Sequence, residues 1–148
     1  MQTSDVLVFP REIFGSVFSL LPWESIQSHI DEIEESFSWL HRLEAEQSDD
    51  MVQAIPCVLI RDSEGRYCVF RRVKEDRTDL SKKLSLIIGG HIDQTADRDS
   101  FLSAMARNLS REIDEEIGIR AEEPPRPVGV IIDGSSIVAS RHVAFLHE

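Results

Sequence analysis

Apolar residues recur in this chain with two different periods, and the period changes along its length. Residues 6–9 (VLVF) form a short continuous apolar run closed by Pro10, which reads as a strand. From Pro22 to Glu46 the period lengthens. Ile26, Ile30, Ile33, Phe37, Leu40 and Leu43 fall at three- and four-residue steps, which predicts an amphipathic helix with Asp31, Glu32, Glu34 and Glu35 on its wet side. Gln47 to Asp50 is a polar link. Strands are predicted over 55–60 and 67–73, joined by Asp62-Ser63-Glu64-Gly65 as a hairpin turn. Leu84 to Ile88 is an apolar strand that stops at Gly89-Gly90. Two adjacent glycines permit a close approach by other groups.

The next segment returns to helical spacing. Asp99 or Ser100 suits an N-cap, and Gly118 suits a C-terminal stop. Between them Leu102, Met105, Ala106, Leu109, Ile113 and Ile117 make one stripe. Pro124-Pro125-Arg126-Pro127 is a stiff connector. Residues 129–133 and 137–146 read as strands around a Gly134-Ser135-Ser136 turn, and no internal repeat is present. The boundaries predict an α+β chain. A mostly helical extension over residues 1–50 packs on a second unit over residues 51–148.

Chemistry enters at residues 111–119, Arg-Glu-Ile-Asp-Glu-Glu-Ile-Gly-Ile. Glu112, Glu115 and Glu116 are spaced i, i+3 and i+4, so they crowd on one side of the helix. On the wheel they sit beside the apolar stripe, which predicts half-shielded carboxylates. Their mutual repulsion does nothing for folding, whereas a hard divalent cation turns it into attraction. The bland reading is a solvated helix in which Arg107 and Arg111 serve as partners, with Arg111 and Glu115 as an i, i+4 ion pair.

These nine residues, with Gly89 and Gly90 upstream, resemble the Nudix hydrolase box. That box runs Gly, five residues, Glu, seven residues, then Arg-Glu-U-x-Glu-Glu-x-Gly-U, where U is a bulky aliphatic. Arg111, Glu112, Ile113, Glu115, Glu116, Gly118 and Ile119 match its second half. The first half departs: Ser103 stands where the box glutamate belongs and Asp97 where its glycine belongs. Residues 91–100 then form a lengthened loop, with Asp93, Asp97 or Asp99 as substitutes for the glutamate, whose family role is mostly structural. Further likeness to a bacterial subgroup with a Gly-Gly-His-Ile turn runs through residues 6–11, Ile55-Pro56, 66–72, 84–92 and 129–143.

The resemblance implies a Nudix fold, a mixed β-sheet flanked by the box helix. It implies metal-dependent hydrolysis of a diphosphate bond in a nucleoside diphosphate linked to another group, with water attacking phosphorus. Glu112, Glu115 and Glu116 become metal ligands, Gly89 adds its carbonyl, and Mg²⁺ is expected ahead of Mn²⁺. Arg111 holds a glutamate in place. Glu112 or Glu115 takes the water's proton, or else a carboxylate outside the box such as Asp133 or Glu148. Arg71, Arg72 and Gly90 are expected at the substrate. Because the family fold closes with a further strand and helix, the end at Glu148 reads as a truncated C-terminus. The alternative is a Nudix-fold module that senses a nucleotide without turning it over.

Composition narrows the partners. The 148 residues are 41% hydrophobic and 29% charged, with a net charge of −11. That balance argues against a nucleic-acid surface, which needs a basic footprint. Arg71, Arg72, Lys74, Arg77, Lys82 and Lys83 make a local basic excess between residues 71 and 83, where a phosphate could be held; taken singly, each suits a solvated loop. No apolar run is long enough to span a bilayer, and no signal peptide is evident. Cys57 and Cys68 read as reduced thiols of a cytoplasmic protein. His91 and His142 read as packing residues, and Trp23 and Trp39 as core or interface. The stripe at Ile26 to Leu43 also suits a homodimer arm.

Overall fold

The computed structural model describes residues 4–15, 17–71, 84–95 and 99–148. Arg72, Lys74, Arg77, Lys82, Lys83 and Asp97 lie outside them, so the basic segment is described only at Arg71.

The elements are β1 (Asp5–Pro10), β2 (Ser19–Pro22), α1 (Gln27–Ser36), β3 (Ser38–His41), α2 (Arg42–Gln47), β4 (Met51–Leu59), β5 (Phe70–Arg71), β6 (Leu84–Ser85), β7 (Ile87–Gly89), α3 (Phe101–Ile117), β8 (Pro127–Ile132), α4 (Ile137–Ser140) and β9 (His142–His147). Seven strands form the main sheet in the order β2-β8-β9-β4-β1-β3, with β7 also pairing to β4; β5 and β6 pair separately. β4 and β9 run parallel, and the other pairs are antiparallel, so the sheet is mixed.

Alternation along β1 sorts its side chains to two faces. Leu7 and Phe9 enter the main core with Ile26, Ile30 and Ile33 of the α1 region, Phe101 and Met105 of α3, and Phe145 of β9. Phe9, Phe101 and Phe145 meet edge-to-face at centroid separations of 5.2 to 6.4 Å. Val6 and Val8 pack instead with Ala45 of α2. A smaller cluster of Val58, Ile88, Leu109 and Ile113 joins β4 and β7 to α3.

The long N-terminal helix predicted over 22–46 is corrected. The apolar face at Ile26, Ile30 and Ile33 is buried, but Phe37 is extended (φ −65°, ψ 150°) and ends α1. Residues 38–41 then pair with β1, from Val8 opposite Ser38 to Asp5 opposite His41. An apolar period tolerates this break because Trp39 and Leu40 bury part of their surface from a strand as well as from a helix. Leu43, assigned to the stripe, is 56% exposed. Residues 1–50 therefore supply three strands to the main sheet and are not mostly helical.

The turn at residues 62–65 forms where predicted, but among the described residues its second arm meets the first only at the Arg61–Tyr67 bridge, and β5 pairs with β6 instead of β4. The Asp62 carboxylate accepts the backbone N–H groups of Glu64 and Arg66, and Gly65 takes φ 81°. In contrast, residues 137–140 begin as a helical turn capped by the Ser136 hydroxyl, so the last strand starts at His142. Both cysteines are free, Cys57 buried and Cys68 half-buried. Trp23 and Trp39 pack against the main core.

Candidate metal and diphosphate site

The helix α3 starts and stops on local signals. The Ser100 hydroxyl accepts the Ser103 N–H at 3.2 Å, and Gly118 closes the C-terminus in the left-handed region at φ 62°. Its buried face is Phe101, Ala104, Met105, Asn108, Leu109 and Ile113, whereas Leu102 and Ala106 are exposed. The stripe is thus rotated from the predicted one, because Phe101 is drawn into the aromatic cluster and turns the wheel with it.

The three glutamates differ in burial. Glu112 follows Ala104 and Asn108 at four-residue steps and lies at the margin of the core, its side chain only 12% exposed. Glu115 and Glu116 are exposed, which corrects the expectation that all three are half-shielded. Burial pushes the Glu112 carboxyl up from its ordinary range; Arg111 pulls it down, while Glu115 and Glu116 push it further up.

The glycine turn stands directly against this carboxylate. Gly89 pairs with Cys57 at the end of β7, and a side chain there would strike the Pro56 carbonyl and the Cys57 backbone. At Gly90 an added Cβ would lie 2.4 Å from Glu112 Oε1. Only a glycine lets the carboxylate sit this close to the main chain. Arg111 ties the assembly together. Its guanidinium donates to Glu112 Oε1 at 2.9 Å, Glu115 Oε2 at 3.0 Å, Asn108 Oδ1 at 2.7 Å and, weakly, the His91 carbonyl at 3.4 Å. Asn108 in turn donates to the Gly90 carbonyl at 3.2 Å.

The structure thus brings Arg111, Glu112, Glu115 and Gly90 together. Gly89 adjoins them through the turn. Among the described residues, no three His, Cys, Asp or Glu side chains converge as a ready-made cage. Arg111 accounts for part of this, since it already engages Glu115. The chemistry of the set still suits a hard cation: carboxylate oxygens, main-chain carbonyls and a half-buried charge crowded by like charges. Arg71 is exposed on β5, a strand paired with β6 rather than with those carrying the site.

The substitutes for the missing glutamate have separate partners. Asp93 accepts from the Ser4 hydroxyl at 2.6 Å and comes within 3.8 Å of Arg111, whereas Asp99 pairs with Arg107. Asp133 accepts from the Ser135 N–H, and hydrogen bonds from Ser135 hold its exposed carboxyl below the usual range. Glu148 is held by the Tyr67 hydroxyl at 2.8 Å and Arg61 at 3.2 Å. The His91 and His142 rings meet at 5.4 Å. An open groove of about 670 Å³ runs past Val58, Ile60, Arg61, Ile113, Arg120 and Arg126, and none of the three glutamates lines it. Sequence reasoning missed Asn108. Its signal was a polar residue interrupting the apolar face one turn before Glu112.

No helix among the described residues is long and apolar enough to cross a membrane. No family model matches the chain. Over 117 residues it is 30% identical to protein YmaB of Bacillus subtilis (strain 168), a match covering 78% of this chain and 57% of the relative. The chain thus spans little more than half the length of that curated relative. Among solved structures it is similar to Tm1382, described as "a putative Nudix hydrolase". The TM-score is 0.73 at 25% identity, covering 97% of this chain and 73% of Tm1382. The chain therefore adopts the Nudix fold, and its likeness to Tm1382 supports a place among the Nudix hydrolases.

Proposed function

We propose that the protein hydrolyses a diphosphate bond in a nucleoside diphosphate linked to another group, with Mg²⁺ or Mn²⁺ held by Glu112, Glu115, Glu116 and the Gly89 carbonyl. The observation that carries this reading is the Glu112 carboxylate. It is largely buried, crowded by two further glutamates, and seated where Gly90 has no side chain. Arg111 offsets part of this crowding, and a divalent cation would offset the rest. When bound, the cation neutralises the diphosphate and makes water a better nucleophile.

The remaining work falls to the chain's own groups. Arg111 orients Glu112 and Glu115 through its two donor edges. Glu112 or Glu115 accepts the proton of the attacking water in this reading. Glu115 is the more accessible of the two, and Glu112 the more shielded. Asp133 is a poor general base, because the hydrogen bonds from Ser135 hold it in the ionised, weakly basic form. Glu148 is held by Tyr67 and Arg61, residues outside α3 and the glycine turn.

The test is product release from a panel of nucleoside diphosphate compounds with Mg²⁺, comparing the parent chain with Glu112→Gln and Glu116→Gln. Metal-dependent turnover by the parent, lost in both variants, supports the proposal. Turnover that survives both substitutions refutes it. A second reading, a nucleotide sensor, is favoured by the absence of a ready-made carboxylate cage among the described residues and by Ser103 in place of the box glutamate. Saturable nucleotide binding by calorimetry without product release would select it.

A further inference from the structure

Asn108 lies outside the residues that carry the family resemblance, yet it is the polar centre of the buried face of α3. It is 4% exposed, between Met105 and Leu109 on one side and Glu112 one turn on. Burying an amide is unfavourable unless its atoms are hydrogen-bonded, and both atoms here have partners. Oδ1 accepts from Arg111 at 2.7 Å, and Nδ2 donates to the Gly90 carbonyl at 3.2 Å. The reverse orientation would oppose donor to donor and acceptor to acceptor, so the neighbours dictate the amide's direction. A carboxylate could take the Arg111 bond but not donate to Gly90. An apolar side chain could do neither. Ser103, at the box glutamate's position, is occupied elsewhere, because its hydroxyl accepts from the Ser100 hydroxyl at 3.0 Å at the start of the helix.

We propose that Asn108 is a positioning residue that clamps the Gly90 carbonyl to Arg111 and thereby sets the glycine turn against Glu112. It supplies a bracing role that Ser103 cannot fill. The metal-site consequence rests on the function proposed above; the clamp itself does not.

The test uses Asn108→Leu and Asn108→Asp, with Ser103→Ala as a control. Two quantities are read: amide hydrogen exchange at residues 89–92, and Mn²⁺ affinity by paramagnetic resonance titration of the folded protein. Both Asn108 variants should exchange faster at the turn and bind Mn²⁺ about 10- to 100-fold more weakly, the usual effect of losing a residue that orients ligands. Ser103→Ala should change neither. Unchanged exchange at the turn overturns the proposal. So does faster exchange with unaltered Mn²⁺ affinity, which would make Asn108 a packing residue only. If the parent chain binds no Mn²⁺ while the turn still loosens in both variants, the hydrolase reading fails and the clamp stands.

Discussion

Replacing Gly90 with alanine separates the site's function from its stability. The Gly90 backbone does not need a left-handed angle, so alanine meets no conformational objection there. The objection is steric: the new Cβ would stand 2.4 Å from Glu112 Oε1 and 2.9 Å from its carboxyl carbon. The carboxylate must retreat by about 1 Å to reach ordinary contact, and displacement on that scale near the chemistry costs up to about 10²-fold in rate. The retreat also strains the 2.9 Å bond from Arg111. Because the clashing atoms end a flexible side chain rather than belonging to the main chain, the stability loss should fall at the low end of overpacking, about 1 kcal/mol. Gly89→Ala is the contrast. Its Cβ would meet the Pro56 carbonyl at 2.5 Å and the Cys57 Cα at 2.9 Å, main-chain atoms that cannot step aside. It should lose about 3 kcal/mol, the upper part of the overpacking range. Thermal unfolding and Mn²⁺ titration of both variants check this. A Gly90→Ala protein that keeps parental Mn²⁺ affinity and turnover would refute the argument that Glu112 needs the space above Gly90.

Three further outcomes are expected. Ile33→Ala should cost about 2–5 kcal/mol in chemical unfolding, because Ile33 is wholly buried in the main core with Phe101 and Phe145; a change near zero would mean that α1 is a detachable arm. Burial holds the His147 imidazole below its ordinary value of 6.5, although Phe145 and Cys57 carbonyls pull the other way. The unfolded chain then binds more protons in that window, so this contribution is present above pH 6.5 and is lost as pH falls towards the folded value. Unfolding midpoints between pH 7.5 and 5.5 should therefore fall less steeply in His147→Gln than in the parent. The buried Cys57 thiol, pushed up to about 11, should resist a thiol reagent at pH 7.5 while Cys68 reacts; equal labelling rates would contradict its burial.

What the sequence determined by itself is local. The Ser100 cap, the Gly118 stop and the Asp62 turn were legible because each is a short-range exchange between a side chain and the neighbouring backbone. The glutamate spacing and the Gly89-Gly90 strand end were visible for the same reason, and they placed the candidate site before any contact was known. Only the tertiary structure decided which face of α3 is buried. Docking of Phe101 against Phe9 and Phe145 turned the buried face toward Glu112, whereas Glu115 and Glu116, in the last turn before Gly118, stayed exposed. It also decided that residues 38–41 form a strand, because the open edge of β1 offered main-chain partners that a helical period cannot reveal. Asn108 belongs to the same class. Its role depends on Gly90, which lies eighteen residues away in sequence, coming within hydrogen-bonding distance.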